Sequence, residues 1–477
     1  MNLILICTDQ HRRDGVGCYG NPAIETPRLD GLASEGLRFD RAYVANPICM
    51  PSRMSIFTGC YPRNHGIWTN GLLVDVRVPL LSQVLSDAGY ATGSIGKLHF
   101  MPWRGGDRGW ESQDRWNRLG DDFEWTGPYG GFEHVELAIG HTQAIAHYGR
   151  WFRERGGTAD LMVRGADESR PLPPELHDST WVGERSAAYI REHAHRPFFL
   201  FASFPDPHYA FDPPATLAAK YAAKTPVPPI GGPKDLATRP PHYVEHFRGA
   251  WHRSGSIAPE HPNGPPEHVV RSRRANTAAM IELVDRGVGA ILDTLDECGL
   301  AEETLVVFTS DHGELLGDHG LWYKGPFFYE GLLGVPLIVR GPAVRRGGTD
   351  ALVSSIDLMP TLLDRLGVST PEDVDGRSFA AHLEDPGAPT RDRCLVEYRN
   401  GYGAADNAAI ALVTERHKYV RYQSGERELT DLAADPEERL NVAADAGYAA
   451  TVSSMERDLL SEVLATGARG PEQISHA

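Results

Sequence analysis

The sequence predicts an α/β fold, an α/β/α sandwich with a mostly parallel central sheet, followed by a smaller C-terminal α+β unit. Three observations carry this. Residues 3–8 and 305–308 are nearly unbroken apolar runs that lead into the polar pairs Asp9-Gln10 and Asp311-His312, as buried parallel strands do on reaching a sheet's C-terminal edge. Amphipathic helical stretches alternate with such runs. Beyond residue 392 the pattern changes to short strand-like segments and one closing helix.

In chain order, residues 25–36 read as an amphipathic helix closed by Gly36, and 37–44 as a strand leading toward Cys49. Residues 51–57 read as the first turns of a helix. Pro51 lies where a missing N–H costs little, and the Ser52 hydroxyl can satisfy a first-turn donor. Residues 78–88 look helical, and 91–95 form a strand running into Gly96-Lys97-Leu98-His99-Phe100. Periodicity weakens from 101 to 136, where Trp103, Trp110, Trp116 and Trp125 crowd among Gly, Asp and Arg. This stretch is too aromatic for a free linker and predicts ordered loops covering the site.

Residues 179–193 predict a helix and 197–201 a strand that ends near His208; 205–264, rich in Pro, His, Gly and Tyr, predicts a second pocket-forming excursion. A long helix is predicted over 277–298, with Met280, Ile281, Val284, Val288, Ile291, Leu292 and Leu295 on its apolar face and Gly299 as its stop. A strand at 335–339 and a helix at 358–366 continue the pattern. The stretch Asp-Pro-Gly-Ala-Pro-Thr-Arg-Asp at 385–392 reads as a linker, dividing the chain into a main domain, 1–385, and a C-terminal domain, 386–477. The latter would hold strands at 394–398, 408–413, 417–422 and 427–431, a helix at 448–464, and a frayed tail after Gly467.

A formal charge of −17 argues against nonspecific nucleic-acid binding. The six cysteines, at 7, 18, 49, 60, 298 and 394, have neither zinc-site nor dense disulfide spacing, so mostly reduced thiols are expected. Only six residues are lysine, which makes a lysine inside a motif worth separate attention. No leader precedes the first strand and no stretch of about 18 apolar residues follows. The expectation is a cytoplasmic chain with no membrane partner; a homo-oligomer is left open.

Two carboxylates, an amide oxygen and an imidazole, delivered by Asp9-Gln10 and Asp311-His312, suit a hard or borderline divalent metal. Taken alone, each pair reads more readily as a turn cap. Cys49, beside the N–H groups of a helix start, could be a thiolate nucleophile, a metal ligand or a buried apolar residue. Arg53 lies four residues on, near the same helix face. Lys97 and His99 would share one side of an extended segment, a compact charge beside a group able to shuttle protons.

The run Cys49-Met50-Pro51-Ser52-Arg53, followed by Thr58-Gly59, resembles the signature of the sulfatase family in the alkaline phosphatase superfamily. The resemblance covers most of residues 2–470, with late support from Glu428-Leu429-Thr430-Asp431-Leu432 and the stretch from Asp435 to Asn441. It implies that a formylglycine-generating enzyme oxidises Cys49 to formylglycine (3-oxoalanine), whose hydrate attacks sulfur. The alcohol leaves, and elimination then releases inorganic sulfate. It further implies one divalent ion held by Asp9, Gln10, Asp311, His312 and the modified Cys49. Asp-Gln paired with Asp-His resembles the branch of choline sulfatases and phosphonate monoester hydrolases, which leaves calcium and manganese both open.

By the same resemblance, Arg53 holds the hydrate, Lys97 and Lys324 bind sulfate oxygens, and His99 can deprotonate the intermediate. His208 contacts the leaving-group oxygen and Asn70 lies beside the nucleophile. For His65 and His319 a role in ordering their loops is at least as natural as a chemical one. His134, His141, His147 and His261 have no comparable context and default to surface or pocket-wall positions. The function implied is hydrolysis of a small-molecule or carbohydrate sulfate ester. The runner-up is a phosphonate monoester or phosphodiester hydrolase on the same scaffold, which generally carries other residue types at Lys97 and His99; a noncatalytic binding protein is the third reading.

Overall fold

The computed structural model describes residues 1–73, 78–141, 143–224, 226–248, 266–399 and 408–467. Twelve strands build two sheets among these residues. The first eight are β1 (Asn2–Thr8), β2 (Leu37–Tyr43), β3 (Ala91–Gly96), β4 (His134–Leu137), β5 (Phe198–Phe204), β6 (Thr304–Ser310), β7 (Leu337–Arg340) and β8 (Gly347–Ser354). They form one sheet in the order β4-β3-β5-β1-β6-β7-β2-β8. All neighbours are parallel except β7, which runs antiparallel to both β6 and β2. The sheet is mixed and mainly parallel, as predicted. β4 and β8 carry too little apolar patterning to stand out in the sequence.

Strand alternation explains the two layers of core. Leu3, Leu5 and Cys7 of β1 join a cluster with Phe199, Phe201, Leu305 and Val307, while Ile4 and Ile6 join Leu200, Ala202, Val306 and Phe308 on the other face. The helices Asp178–His193 and Glu267–Glu297 pack on that second face through Val182, Ile190, Val284, Val288 and Ile291. The second of these begins ten residues before the predicted start. Its first turns bury Arg273 and Arg274, paired with Glu168 and Asp318, and ion pairs leave no apolar period to read.

The remaining strands, β9 (Arg393–Tyr398), β10 (Ala409–Thr414), β11 (His417–Tyr422) and β12 (Arg427–Asp431), form an antiparallel sheet covered by the helix Ala449–Ala465. The core does not stop at the predicted linker. Cys394, Val396, Tyr398 and Val420 belong to the same apolar cluster as Leu3 and Leu305, and Leu352 bridges to Arg391.

The tryptophan-rich stretch is ordered. Trp110 stacks on Trp125 with ring centroids 3.9 Å apart, and Trp116 in the helix Gln113–Leu119 packs edge-on against Phe123. Within the predicted second excursion, helices occupy Ala215–Ala222 and Pro241–Phe247, while 225 and 249–265, with His261, lie outside the described residues. So does the tail from 468. No helix among the described residues is long and apolar enough to cross a membrane.

Candidate active site

The register of the central strands creates the site. Thr8 of β1 lies opposite Ser310 of β6 and Phe204 of β5, so the next residues, Asp9 and Asp311, leave the sheet side by side. The Asp311 N–H bonds the Thr8 carbonyl at 3.1 Å, and the Gln10 N–H donates to Asp311 Oδ1 at 3.0 Å. On the other side of β5, Gly96 of β3 faces Ser203, and the Lys97 N–H reaches the Ser203 carbonyl at 3.0 Å. A Cβ on Gly96 would collide with that carbonyl oxygen at 1.8 Å, and its φ of +110° also favours glycine. The close approach carries Lys97 toward Asp9.

Helix α2 (Cys49–Thr58), which follows helix α1 (Pro27–Glu35) and β2 in the chain, brings the nucleophile candidate from the other direction. It begins at Cys49, two residues earlier than predicted, because side chains from elsewhere serve its first donors. Asn46 Oδ1 accepts the Ile48 N–H at 2.8 Å and Asn70 Oδ1 accepts the Met50 N–H at 2.9 Å. Ser52 therefore does not cap the helix; its hydroxyl donates to the Asp311 carbonyl at 2.5 Å. One turn on, Arg53 Nε donates to Asp311 Oδ2 at 2.7 Å, and Nη1 donates to the Lys97 carbonyl and to Ser203 Oγ.

Asp9, Cys49, Asp311 and His312, all buried, offer ligand atoms within 4.8 Å of one another. Cys49 Sγ lies 3.6 Å from Asp9 Oδ1, 3.3 Å from His312 Nε2 and 2.8 Å from Lys324 Nζ. Lys324 Nζ is also 3.1 Å from Gln10 Oε1 and 3.2 Å from His312 Nε2, and Lys97 Nζ bonds Asp9 Oδ2. Three donors of the set thus converge on an ammonium group. The arrangement is shaped to hold positive charge, and its oxygen and imidazole donors fit a divalent ion.

The electrostatics of the site follow from burial against two lysines. Burial pushes the Cys49 thiol up, but Lys324, Lys97 and His312, with a hydrogen bond from His208, bring it well below the ordinary thiol range. Burial and Cys49 raise Asp9, yet Lys97, His208 and Lys324 hold it below the usual carboxylate range. Burial and Lys324 lower His208 to about 3, and burial and Lys97 lower His99. Both imidazoles are therefore neutral near pH 7. His99 sits at φ +59°, so it reaches Cys49 from a left-handed position and not from the extended segment predicted.

The other two predicted histidines are used locally. His65 joins Ser55 Oγ at 3.1 Å and the Ile67 N–H at 3.1 Å, while His319 stacks on Tyr329 and bonds Asp235 at 3.1 Å. Sequence reasoning also missed several groups behind the site. Glu111 accepts the N–H groups of Phe100 and Met101 at 2.9 and 3.0 Å and the Tyr129 hydroxyl at 3.0 Å, tying the tryptophan loop to the residues after His99. No spacing marks it among the polar residues of that loop.

Glu314 bonds the Gln10 carboxamide, and its place three residues after Asp311 was the only available hint. His141, which had no context in the sequence, bonds Asp206 at 2.7 Å, and its ring lies 6.1 Å from that of His208. Asp206 also belongs to a second buried group with His177 and Asp178. Burial would lower His177, but Asp206 and Asp178 raise it to about 9. With His141 and Arg170 nearby, Asp178, Asp206 and Asp212 have their charge met from within the protein.

Comparison with known proteins gives the class. The Sulfatase family profile matches residues 1–368, and the profile described as N-sulphoglucosamine sulphohydrolase, C-terminal, matches residues 317–464. The chain belongs to the sulfatase family and is a sulfatase-family hydrolase. It is 31% identical over 492 residues to an arylsulfatase of Clostridium perfringens (strain 13 / Type A), covering 97% of this chain and 94% of the relative. It is 31% identical over 499 residues to the multifunctional alkaline phosphatase superfamily protein PehA of Trinickia caryophylli, with 96% and 94% covered. Among solved structures, the phosphonate monoester hydrolase of Agrobacterium radiobacter superposes with a TM-score of 0.82 at 27% identity, over 98% of this chain and 96% of that one.

Proposed function

We propose that this chain hydrolyses sulfate esters, with Cys49 converted to formylglycine and one divalent ion, calcium or manganese, held by Asp9, Gln10, Asp311, His312 and residue 49. The observation that carries the reading is the convergence of Lys324, Lys97, His99 and His208 on buried Cys49, beside a donor set fit for a cation. The hydrate would supply an oxygen nucleophile, and the ion positive charge for the anionic oxygens.

The remaining roles belong to the chain's own side chains. Lys97 and Lys324 clasp the non-bridging oxygens, where fixed charge in a dry site counts most. His99, neutral because of burial and Lys97, can take a proton from residue 49. His208, whose Nδ1–H bonds the Tyr209 carbonyl, turns its ring toward Cys49 on the side of the leaving oxygen. Arg53 fixes the Asp311 carboxylate, and Asn70 fixes the start of α2.

A second reading, a phosphonate monoester or phosphodiester hydrolase, is favoured by the likeness to the Agrobacterium radiobacter enzyme. Lys97 and His99 support sulfate. The deciding experiment uses protein coexpressed with a formylglycine-generating enzyme, its conversion at residue 49 measured by peptide mass spectrometry. Aryl, sugar and choline sulfates are compared with phosphonate monoesters and phosphodiesters. Sulfate turnover should lead; a phosphorus substrate ahead by about a hundredfold in kcat/KM, roughly 2.7 kcal/mol of transition-state preference, replaces the first reading with the second.

A further inference from the structure

Glu314 lies two residues beyond His312, is only 2% exposed, and has no part in the roles above. Its Oε1 accepts the N–H of Leu316 at 3.0 Å and that of Tyr323, and its Oε2 accepts an N–H of the Gln10 carboxamide. The oxygen end of that carboxamide accepts from Lys324 Nζ at 3.1 Å. A carboxylate only accepts and an ammonium only donates, so an amide held between the two has one orientation. Its nitrogen faces Glu314, and its oxygen faces the cation-binding donors. The backbone of Gln10 is already committed, at φ +67° with its N–H on Asp311. Only the side-chain amide is left to be set.

The second oxygen of Glu314 works on the other lysine-bearing loop. Tyr323 sits at φ +64° and directly precedes Lys324. By holding the Tyr323 N–H, Glu314 fixes the peptide from which Lys324 extends to Cys49.

We propose that Glu314 is a positioning residue that aims the Gln10 carboxamide oxygen at the divalent ion and sets the base of Lys324. This rests on the reading of the site as a divalent-ion centre. A glutamine at 314 would still accept the two backbone N–H groups, but it would turn an NH₂ group toward Gln10. The Gln10 amide would then rotate and present its own NH₂ to the ion, removing one neutral ligand. Groups that orient metal ligands in this way typically govern affinity by 10- to 100-fold.

The test is calorimetric titration of Mn²⁺, and separately Ca²⁺, into the metal-stripped full chain carrying formylglycine, for the wild type, Glu314→Gln, Gln10→Ala and the double variant. Glu314→Gln should bind the ion about 10- to 100-fold more weakly. Added to Gln10→Ala it should weaken binding no further, because its action passes through that amide. Equal affinity of wild type and Glu314→Gln, or fully additive losses, overturns the proposal while leaving the divalent-ion reading intact. A wild type that binds neither ion overturns both. If Glu314→Gln does not fold, Glu314→Asp is titrated in its place: its shorter arm cannot hold the loop and the amide together, so it should bind the ion more weakly than the wild type, and equal affinity overturns the proposal.

Discussion

Arg53 Nε lies 2.7 Å from Asp311 Oδ2, and neither side chain reaches solvent. The pair joins α2 to the end of β6, so it aligns residue 49 with the strand-end donors. Removing one partner leaves an uncompensated charge in the interior, which costs about 3–5 kcal/mol. Asp311→Ala should lose stability of that size in urea unfolding, along with the divalent ion. A loss under about 1 kcal/mol would show that the pair is not the clamp its geometry describes.

Lys324, from the loop between β6 and β7, and Lys97, just after β3, approach the same buried centre and should act on the anionic oxygens of the sulfate. Lys324→Met and Lys97→Met should each lower kcat on sulfate esters by about 10²- to 10³-fold. KM should rise as well, because a sulfate monoester already carries negative charge on these oxygens in its ground state, so kcat/KM should fall further than kcat. Steady-state kinetics on folded, fully modified variants give the answer; unchanged kcat would remove the lysines from the chemistry.

Glu111 is predicted to make stability depend on pH. Burial raises it to about 7 despite its hydrogen bonds from Tyr129, Phe100 and Met101. A carboxyl whose folded value exceeds its unfolded value of about 4.5 binds its proton more tightly when folded. Its contribution is therefore fully present below about pH 4.5 and is lost as pH rises through 7, by up to about 3 kcal/mol. Glu111→Gln should remove this slope. Urea unfolding of both proteins at pH 5 and pH 8 checks it: the gap between them must shift in favour of the variant at the higher pH.

The strand-end pairs could be read in advance because parallel strands buried on both faces have a simple signature and polar residues at their ends are conspicuous. Asp9, Gln10, Asp311 and His312 fall where β1 and β6 predict. The limits are equally physical. β4 and β8 lie at the two edges of the sheet, where apolar patterning is weak. Glu111, Glu314 and His141 act across gaps in sequence through hydrogen bonds, which leave no periodic trace. The start of α2 is hidden from the sequence for the same reason: its first N–H groups are met by Asn46 and Asn70, not by the residue types at its own first turn.

That capping gives a further prediction. Asn70→Ala leaves the Met50 N–H without its acceptor and should cost about 0.5–2 kcal/mol, the usual range for a lost helix cap. Asn70→Asp keeps an acceptor and should recover most of it. Chemical unfolding of the two variants separates a cap from a residue with no structural role.

Cys49 is 1% exposed, and the floor beneath it is laid by strands that leave the ribosome long after it does. β1 cannot acquire its neighbours until β5 and then β6 have been made, at residues 198 and 304. At about 5–20 residues per second this leaves an interval on the order of ten seconds or more in which the thiol is synthesised but not yet enclosed. If Cys49 is converted to formylglycine as proposed, an enzyme that has to grasp the peptide around residue 49 would be in a race against chain growth. Occupancy of the modification would then be set by the supply of that enzyme during translation, and purified, folded protein would be a poor substrate for late repair.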